Sequence, residues 1–464
     1  MLQTIRNAWA VPELRKKMMF TVFALLIFRL GSAIPVPYID ASTLALHLES
    51  QSGTILGLMN AMSGSAFSMA TVFALSIQPY INSSIIIQLL TVAIPALEQL
   101  AKEGGEEGRK KIASITRYTT VAIALLQGFG YYSLIKSYNN GGLIDAAGIP
   151  SWWIGVVIVL SFTAGSAFLM WLGEQITEFG VGNGISILLF AGIVSRVPRM
   201  VSDCITGVSM WNGVHNGSIT AESIAAANPS VYTSTEAAQA YLDRMVLAPW
   251  LIPVIVIGML LLVVFIVFIS NAERRLPVQY AKRVVGRKMY GGQTTHIPMK
   301  VNMSGVMPII FAQSIASLPA TIGAFAGWTT DNSVLMKLFD TSKPFYSILY
   351  FLMIVGFSYF YASMTFNPIE VSNNLKKNGG FIPGFRPGKP TADFITKVLN
   401  KITMFGALYL SVVAILPIIT GNLVSYHSLA IGGTSIIIVV GVALETVKQM
   451  EAQMLMRHYK GFLE

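Results

Sequence analysis

Polar side chains interrupt two of the chain's apolar segments in the same way. Residues 76–88 and 305–319 each carry a proline near the start, Pro79 and Pro308, followed by Ser, Asn or Gln. Such side chains commonly hydrogen-bond one helix to its neighbour inside a bundle. A broken, polar segment at matching positions of two halves is also the pattern of an inverted repeat with a pathway at the repeat interface. The residues alone leave both interpretations open.

Three further features could carry chemistry. Arg29 lies within an apolar segment, and a charge there is costly enough to need a reason; without an embedded acid nearby, a structural arginine bonded to backbone carbonyls is favoured over a transport role. The stretch Gly180–Gly184 does not follow a strand, so a glycine turn before a helix is favoured over a dinucleotide site. The stretch Gly379–Gly388 is typical of a rigid, turn-rich loop.

Signatures of catalysis and of metal binding are missing from the sequence. It has no GxxxxGK[ST], HExxH or GxSxG motif, one cysteine, Cys204, and five scattered histidines. We therefore predict a protein that is not an enzyme and has no metal and no cofactor.

The composition indicates that membrane-spanning helices position the polar and charged residues described above. With 53% hydrophobic and only 12% charged residues, the chain is too apolar for a soluble globule, which carries about 25% charged residues. Apolar runs long enough to cross a bilayer occur at about 18–37, 71–95, 113–136, 151–173, 183–201, 248–271, 303–327, 344–366, 402–420 and 431–450. The prediction is an all-α polytopic membrane protein with ten transmembrane helices, spans 1 to 10, in two five-helix inverted halves, residues 1–240 and 241–464.

The distribution of basic residues predicts the orientation. Of the 32 lysines and arginines, 25 fall on the side of the N-terminus and 6 on the other side. Because cytoplasmic loops carry the excess of Lys and Arg, both termini are predicted to be cytoplasmic.

Four segments outside the spans differ in character. Residues 41–70 are moderately apolar and too broken to span, which predicts a short re-entrant or capping helix. Residues from 202 to 247 have the polar composition of an exposed outer loop. The cytoplasmic loops 273–302 and 367–397 are long, basic and punctuated by aromatics, which suits the docking of a large partner; RNA binding is an alternative.

Several of these stretches closely resemble the bacterial SecY family, the channel subunit of the Sec preprotein translocase. The resemblance runs from about residue 5 to 460 and is carried by residues 74–91, 171–178, 182–186, 280–283, 300–303, 374–377 and 383–388. It implies a protein-conducting channel that translocates unfolded preproteins and releases membrane helices laterally into the cytoplasmic membrane. Segment 202–247 is longer than expected for the family.

The resemblance also implies roles for individual residues. The broken segment at about 55–70 corresponds to a plug helix. A pore ring of bulky aliphatics maps to Ile77, Ile81, Ile185, Leu189, Ile310 and Leu416. Spans 2 and 7 would be the walls of a lateral gate that includes Ser83, Gln88, Gln313, Ser314 and Leu318. Docking of a motor or ribosome would use Arg274, Arg275, Lys282, Arg283, Arg287, Lys288 and Arg386.

The partners implied are SecE and SecG, the SecA ATPase, the ribosome, signal sequences and nascent chains, and membrane lipids. Two other classes of membrane protein are alternatives to a protein-conducting channel. An inverted-repeat secondary transporter is disfavoured by the lack of embedded acids and by the heavy cytoplasmic loops, and a membrane enzyme by the lack of a catalytic constellation.

Overall fold

The structure is a computed structural model that describes most of the chain. The described residues are 2–41, 44–45, 60, 63–102, 104–137, 144, 148–227, 235, 238–239, 242, 246–280, 283–285, 288–290, 294–303, 305–325, 338–339, 343–424 and 427–460.

Helices dominate the described part, and each of the ten predicted spans contains one. Spans 1 to 5 correspond to α2 (Pro12–Gly31), α3 (Gln78–Ala93), α5 (Gly105–Ser137), α6 (Ser151–Phe179) and α7 (Gly184–Val194). Spans 6 to 10 correspond to α10 (Leu251–Asn271), α11 (Met307–Phe325), α12 (Pro344–Thr365), α14 (Lys389–Val424) and α15 (His427–Lys460). The remaining helices are α1 (Leu2–Ala10), α4 (Pro95–Lys102), α8 (Val197–His215), α9 (Ala221–Ala227) and α13 (Pro368–Lys377).

Five helical stretches of the described chain are by themselves long and apolar enough to cross a membrane. They are Ser151–Phe179, Gly184–His215, Leu251–Asn271, Pro344–Lys377 and Lys389–Leu416, and the bent pair of α3 and α4 is a sixth candidate. The other predicted spans are helical but fall outside this set. In α2 the reason is its charge, since it contains Arg15, Lys16, Lys17 and Arg29.

The start of span 2 differs from the prediction. Residues 71–77 are not helical, and α3 begins only at Gln78, with Pro79 in its first turn. A proline is well placed there because the first N–H groups of a helix have no partner within it. Ser76 precedes the helix with φ +52°, so the chain turns sharply into α3. At the other end, Ile94 is extended before Pro95, and α4 bends away by 105°.

The cytoplasmic loops are folded more than the sequence indicated. In loop 273–302, strand β1 (Glu273–Tyr280) pairs antiparallel with β4 (Thr294–Lys300), and β2 (Arg283–Val285) pairs with β3 (Lys288–Tyr290). In loop 367–397, β5 (Gly380–Phe381) pairs with the end of β1. The sheet order β4-β1-β5 therefore joins the two loops.

This joined unit has its own apolar core and is called the platform from here on. Its buried members come from β1, β4, α13, α14 and the segment after β5: Leu276, Val278, Met299, Leu375, Ile382, Ile395 and Leu399. Burial of apolar side chains outside the spans holds the loops in one arrangement.

The predicted outer loop is also partly helical. Helix α8 continues from 197 to His215, and α9 follows at Ala221–Ala227. The segment from 202 therefore begins as a helix that the sequence did not indicate, and Val201, Ile205 and Val214 of this helix are exposed.

Both termini of the described chain meet on one side of the bundle. Ala8 of α1 and Leu14 of α2 pack in a small cluster with Val181 and with Met450 of α15. The Thr4 hydroxyl donates to Glu451 Oε1 at 3.0 Å. The even number of spans predicted for the chain agrees with this shared side.

Candidate functional site

Five of the six predicted ring residues belong to one large apolar cluster. Ile77, Ile81, Leu189 and Ile310 are buried in one cluster, and Ile185 packs against it while half-buried. The cluster draws on helices of both predicted halves. Within this cluster, the five side chains come from α3, α7, α11 and the residue before α3.

Helix starts position most of these side chains. Ile77 is the residue before α3, and Ile81 follows it by one turn. Asn183 caps α7, with its Oδ1 accepting from the backbone N–H groups of Ile185 at 3.0 Å and Ser186 at 3.3 Å. This cap satisfies donors that a helix start leaves free, and it fixes Ile185 in the first turn. The Gly180–Gly184 stretch is thus the turn before a capped helix.

Leu416 is not brought to the ring. It is 45% exposed and lies outside the cluster, to which α14 contributes Tyr409, Leu410, Val413, Ala414 and Ile418. On a helix of 3.6 residues per turn, Leu416 falls between the cluster residues Tyr409 and Val413 on one side and the exposed Phe405, Val412 and Ile419 on the other. Leu416 therefore lies at the edge of the stripe that faces the cluster, whereas Val413 lies within it, and the assignment of Leu416 to the ring stays a prediction.

The predicted gate walls are in contact, since α3 packs against α11 and α11 also against α5. Gln313 and Ser314 of α11 are buried, and Leu318 is half-buried. Ser83 is buried too, but its hydroxyl donates to the Thr116 carbonyl of α5 at 2.8 Å. Ser83 therefore bonds to a helix of its own half rather than across the α3–α11 seam.

Gln88 of α3 bonds to α12, a contact that the sequence did not reveal. Its Oε1 accepts from the Tyr361 hydroxyl of α12 at 3.0 Å, and its Nε2 donates to Ser84 Oγ at 3.3 Å. The ring of Tyr361 meets Phe311 of α11 edge-on, with 5.0 Å between ring centroids. The aromatic run that ends α12 was the available signal, but nothing in its spacing indicated Gln88 as the partner.

The plug region is described only in part. Of the predicted helix at about 55–70, residues 55–59, 61 and 62 lie outside the described residues, and 63–70 form consecutive turns. Phe67 is buried, stacks on Tyr131 at 4.3 Å between centroids, and accepts a hydrogen bond at its carbonyl from the Tyr131 hydroxyl. The end of this segment is therefore anchored to α5.

Arg29 lies beside the same region. Its Nη1 donates to the Ser195 hydroxyl at 3.2 Å, and that hydroxyl donates to the Gly192 carbonyl at 2.8 Å. A Cβ on Gly64 would stand 2.5 Å from the Ser195 Oγ and 2.7 Å from the Gly192 oxygen. Within the described part of the chain, Arg29 thus bonds to a hydroxyl, where backbone carbonyls were predicted as its partners, at the point where residue 64 approaches the end of α7.

The predicted docking residues are distributed over the platform. Arg274 and Arg275 lie exposed on β1, where the Arg275 Nε is 2.7 Å from Glu273 Oε1. Arg386 is exposed between β5 and α14, and its backbone carbonyl accepts from the Thr391 hydroxyl at 2.7 Å. The backbones of Arg283 and Lys288 lie on β2 and β3, while Lys282 and Arg287 lie outside the described residues.

Among the described residues, no group of three or more His, Cys, Asp or Glu side chains could hold a metal ion. The arrangement offers instead a large apolar cluster shared by both halves, a seam with buried polar side chains and an exposed basic platform.

Comparisons with known proteins point to one family. A sequence model of the SecY family matches residues 71–447. The Protein translocase subunit SecY of Streptomyces coelicolor is 42% identical over 477 residues, covering 100% of both chains. Among solved structures, one titled "The structure of a protein conducting channel" has a TM-score of 0.61 at 16% identity, covering 97% of this chain and 96% of that one. Sec61 in the canine ribosome-channel complex has a TM-score of 0.58 at 15% identity, with the same coverage.

Proposed function

The chain belongs to the SecY family, and from that premise we propose which of its residues form the pore ring, the lateral gate and the docking surface. Members of this family are channel subunits of the protein translocase. The protein is accordingly a membrane channel for the translocation of proteins, and it is not an enzyme.

The burial of Ile77, Ile81, Leu189 and Ile310 in one cluster is the observation that carries the pore ring. A translocation channel must pass every type of side chain and still hold back ions. A hydrophobic constriction bars ions by dewetting, and branched aliphatics offer no hydrogen-bond donor that would retain a passing chain. Ile185, half-buried beside them, completes the ring, with Val413 as the contribution of α14 in place of Leu416.

The seam between α3 and α11 is proposed as the lateral gate. Buried polar groups support it: among the described residues, Asn82 Oδ1 and Ser314 Oγ are buried without a hydrogen-bond partner. A buried polar atom without a partner costs about 1–3 kcal/mol, so the closed seam is held less firmly than an apolar one. Release of a nascent helix then depends on its own transfer energy, about −0.5 kcal/mol for Leu and about +3 for Lys at a helix centre.

The platform is proposed as the docking surface for the partner that drives translocation. The pairing of β1 with β5 joins the segment that carries the exposed Arg386 to the strand that carries the exposed Arg274 and Arg275. Basic side chains on a fixed surface suit the SecA motor and the ribosome, and the likeness to a ribosome-bound channel supports the latter. SecE and SecG are proposed as the helical subunits around the bundle, and the exposed apolar faces of α10 suit contacts with such helices and with lipids.

The protein is proposed to lie in the bacterial cytoplasmic membrane with both termini in the cytoplasm. The packing of α1 on α15 supports a shared side, and the excess of basic residues on that side supports its being the cytoplasmic one.

The proposed assembly and activity are tested together by purification and reconstitution. We expect the detergent-extracted chain to bring two small helical subunits with it, and the complex in proteoliposomes to import a preprotein only when SecA and ATP are added. A preprotein without its signal sequence is the matched control. A chain that purifies alone, or liposomes that take up both preproteins equally, would contradict the proposal.

A further inference from the structure

Two Pro-Gly pairs flank the exposed Arg386 in the platform. In the turn before it, the Phe385 N–H donates to the Ile382 carbonyl at 3.1 Å, and Gly384 has φ +89°. A proline followed by a glycine of positive φ is the pattern of a type II turn. The second pair follows Arg386 directly, and its glycine, Gly388, has φ +104°. Arg386 therefore lies in a short segment whose course is set by a turn on each side.

Two buried hydroxyl groups hold the second turn on either side of Pro387. The Thr391 hydroxyl donates to the Arg386 carbonyl at 2.7 Å, and the Ser372 hydroxyl donates to the Gly388 carbonyl at 2.7 Å. Thr391 lies in the first turn of α14, and Ser372 lies on α13. The two residues are only 1% and 2% exposed, so water does not compete for these bonds as it does at a surface. The two helices thus each fix one carbonyl of the segment 386–388.

An aromatic contact anchors the residue before Arg386. The Phe385 ring stacks on the Phe394 ring, with 4.1 Å between the ring centroids and 27° between the planes. Phe394 packs in turn against the apolar core of the platform. The backbone of Arg386 is therefore tied to the platform on both sides, while its side chain is exposed.

A fixed backbone matters for an arginine because its guanidinium binds in a set direction. The group is planar and pairs with a carboxylate or a phosphate through two parallel N–H bonds. Binding must offset the entropy lost when a mobile side chain or loop becomes ordered, and a segment already held in its bound conformation avoids part of that loss. The contacts around Arg386 are those expected of a preorganised docking residue.

We propose that Thr391 and Ser372 are positioning residues for docking, which hold the 386–388 backbone so that the Arg386 side chain meets the docking partner in one direction. This inference rests on the proposed docking role of Arg386. Both hydroxyls act from within the platform, because both residues are buried. Loss of one such hydrogen bond corresponds to a change in an equilibrium constant of roughly two- to tenfold.

The test measures the Kd of purified SecA for the full chain, reconstituted with its partner subunits in nanodiscs. Thr391→Val removes the hydroxyl and keeps the shape of the side chain, while Thr391→Ser keeps the hydroxyl. Ser372→Ala removes the second hydroxyl independently. Thr396→Val is the matched control on the same helix, because the Thr396 hydroxyl donates to the Ala392 carbonyl of α14 itself at 2.9 Å. Thr391→Val is also measured together with Arg386→Ala.

We expect Thr391→Val and Ser372→Ala each to raise the Kd for SecA roughly two- to tenfold, with the import rate at saturating SecA unchanged. Thr391→Ser and Thr396→Val should bind SecA as the unaltered chain does. In the Arg386→Ala chain, Thr391→Val should not change the Kd further, because a positioning residue acts only through the residue that it positions.

Three outcomes would overturn the positioning role while leaving docking by Arg386 in place. They are an unchanged Kd in both Thr391→Val and Ser372→Ala, an equal change in Thr396→Val, and an effect of Thr391→Val that persists in the Arg386→Ala chain. An Arg386→Ala chain that binds SecA as tightly as the unaltered chain would instead overturn the proposed docking surface on which the inference rests.

Discussion

At the residue scale, the side chains proposed for the pore ring are notable for having no polar groups. In the proposed pore ring, isoleucine and leucine present no donor, acceptor or charge, so they would pack against each other and against a passing chain without binding it. The resemblance to the SecY family indicated Ile77 and Ile81, two residues before and two residues after Pro79, but it could not fix the face of α14. Helical phase decides that face, and the packing turns Val413 rather than Leu416 toward the cluster.

The ring predicts a leak when its members become polar. We expect Ile81→Ser and Ile310→Ser each to lower the free energy of unfolding by about 2–5 kcal/mol, because both side chains are buried. We also expect them to raise resting ion conductance, because a polar neck fills with water. Planar-bilayer conductance and thermal stability are measured on the same preparations.

Ile354→Ser is the control for the ring variants. Ile354 is equally buried in the same cluster but lies on α12, so it should lose similar stability without the leak. Ring variants that are destabilised but do not conduct would remove the pore ring from the proposal.

A charge reversal at Arg386 is expected to weaken docking without impairing folding. Its side chain is exposed, so Arg386→Glu should change the free energy of unfolding by less than about 0.5 kcal/mol. SecA-driven import should fall at least tenfold, since a reversed charge repels the surface that an arginine binds. Lys136→Glu reverses an exposed charge at the far end of α5 and should import normally; equal behaviour of the two variants would exclude Arg386 from the docking surface.

At the element scale, long apolar runs made the helices predictable, while the platform escaped prediction. A span must satisfy its backbone internally in lipid, so an apolar run of sufficient length allows little but a helix. Loop 273–302 has no such constraint, and its strand β1 contains Pro277, a residue that usually argues against a strand. The β1–β5 pairing joins segments about a hundred residues apart, and no local pattern encodes it.

Residue 64, in the described part of the plug segment, is expected to tolerate only glycine. Gly64 has φ +67°, and a Cβ there would meet Ser195 Oγ and the Gly192 oxygen. We expect Gly64→Ala to displace the segment from α7 and to raise resting conductance several-fold over the unaltered chain. The measurement is single-channel recording without substrate.

Gly217→Ala is the control for backbone conformation. Gly217 has φ +68° but nothing within 4 Å of its added Cβ, so it has the same left-handed backbone without the clash. A leak in both variants, or in neither, would mean that the contact with α7 does not seat the plug.

At the scale of the whole molecule, the packing of the first helix on the last places both ends of the described chain on the same side of the bundle. The sequence predicts an even number of spans, and the packing of Ala8 against Met450 brings α1 and α15 to one side independently of that count. Neither observation says which side faces the cytoplasm, because no contact within a protein reports the membrane's polarity. The distribution of Lys and Arg is the one feature of the chain that does so.

The orientation predicts opposite labelling of two matched asparagines. Asn216 and Asn378 are both exposed, and each is the residue directly after a helix, α8 and α13 respectively. With the native Cys204 replaced by serine, we expect Asn216→Cys to react with a membrane-impermeant maleimide in intact cells. Asn378→Cys should react only after the cells are permeabilised. Because both sites share exposure and local conformation, a difference between them reports the side of the membrane and not intrinsic reactivity. The reverse pattern would place the platform outside, where neither a cytoplasmic motor nor a ribosome could reach Arg386, and the proposed docking surface would fail with the orientation.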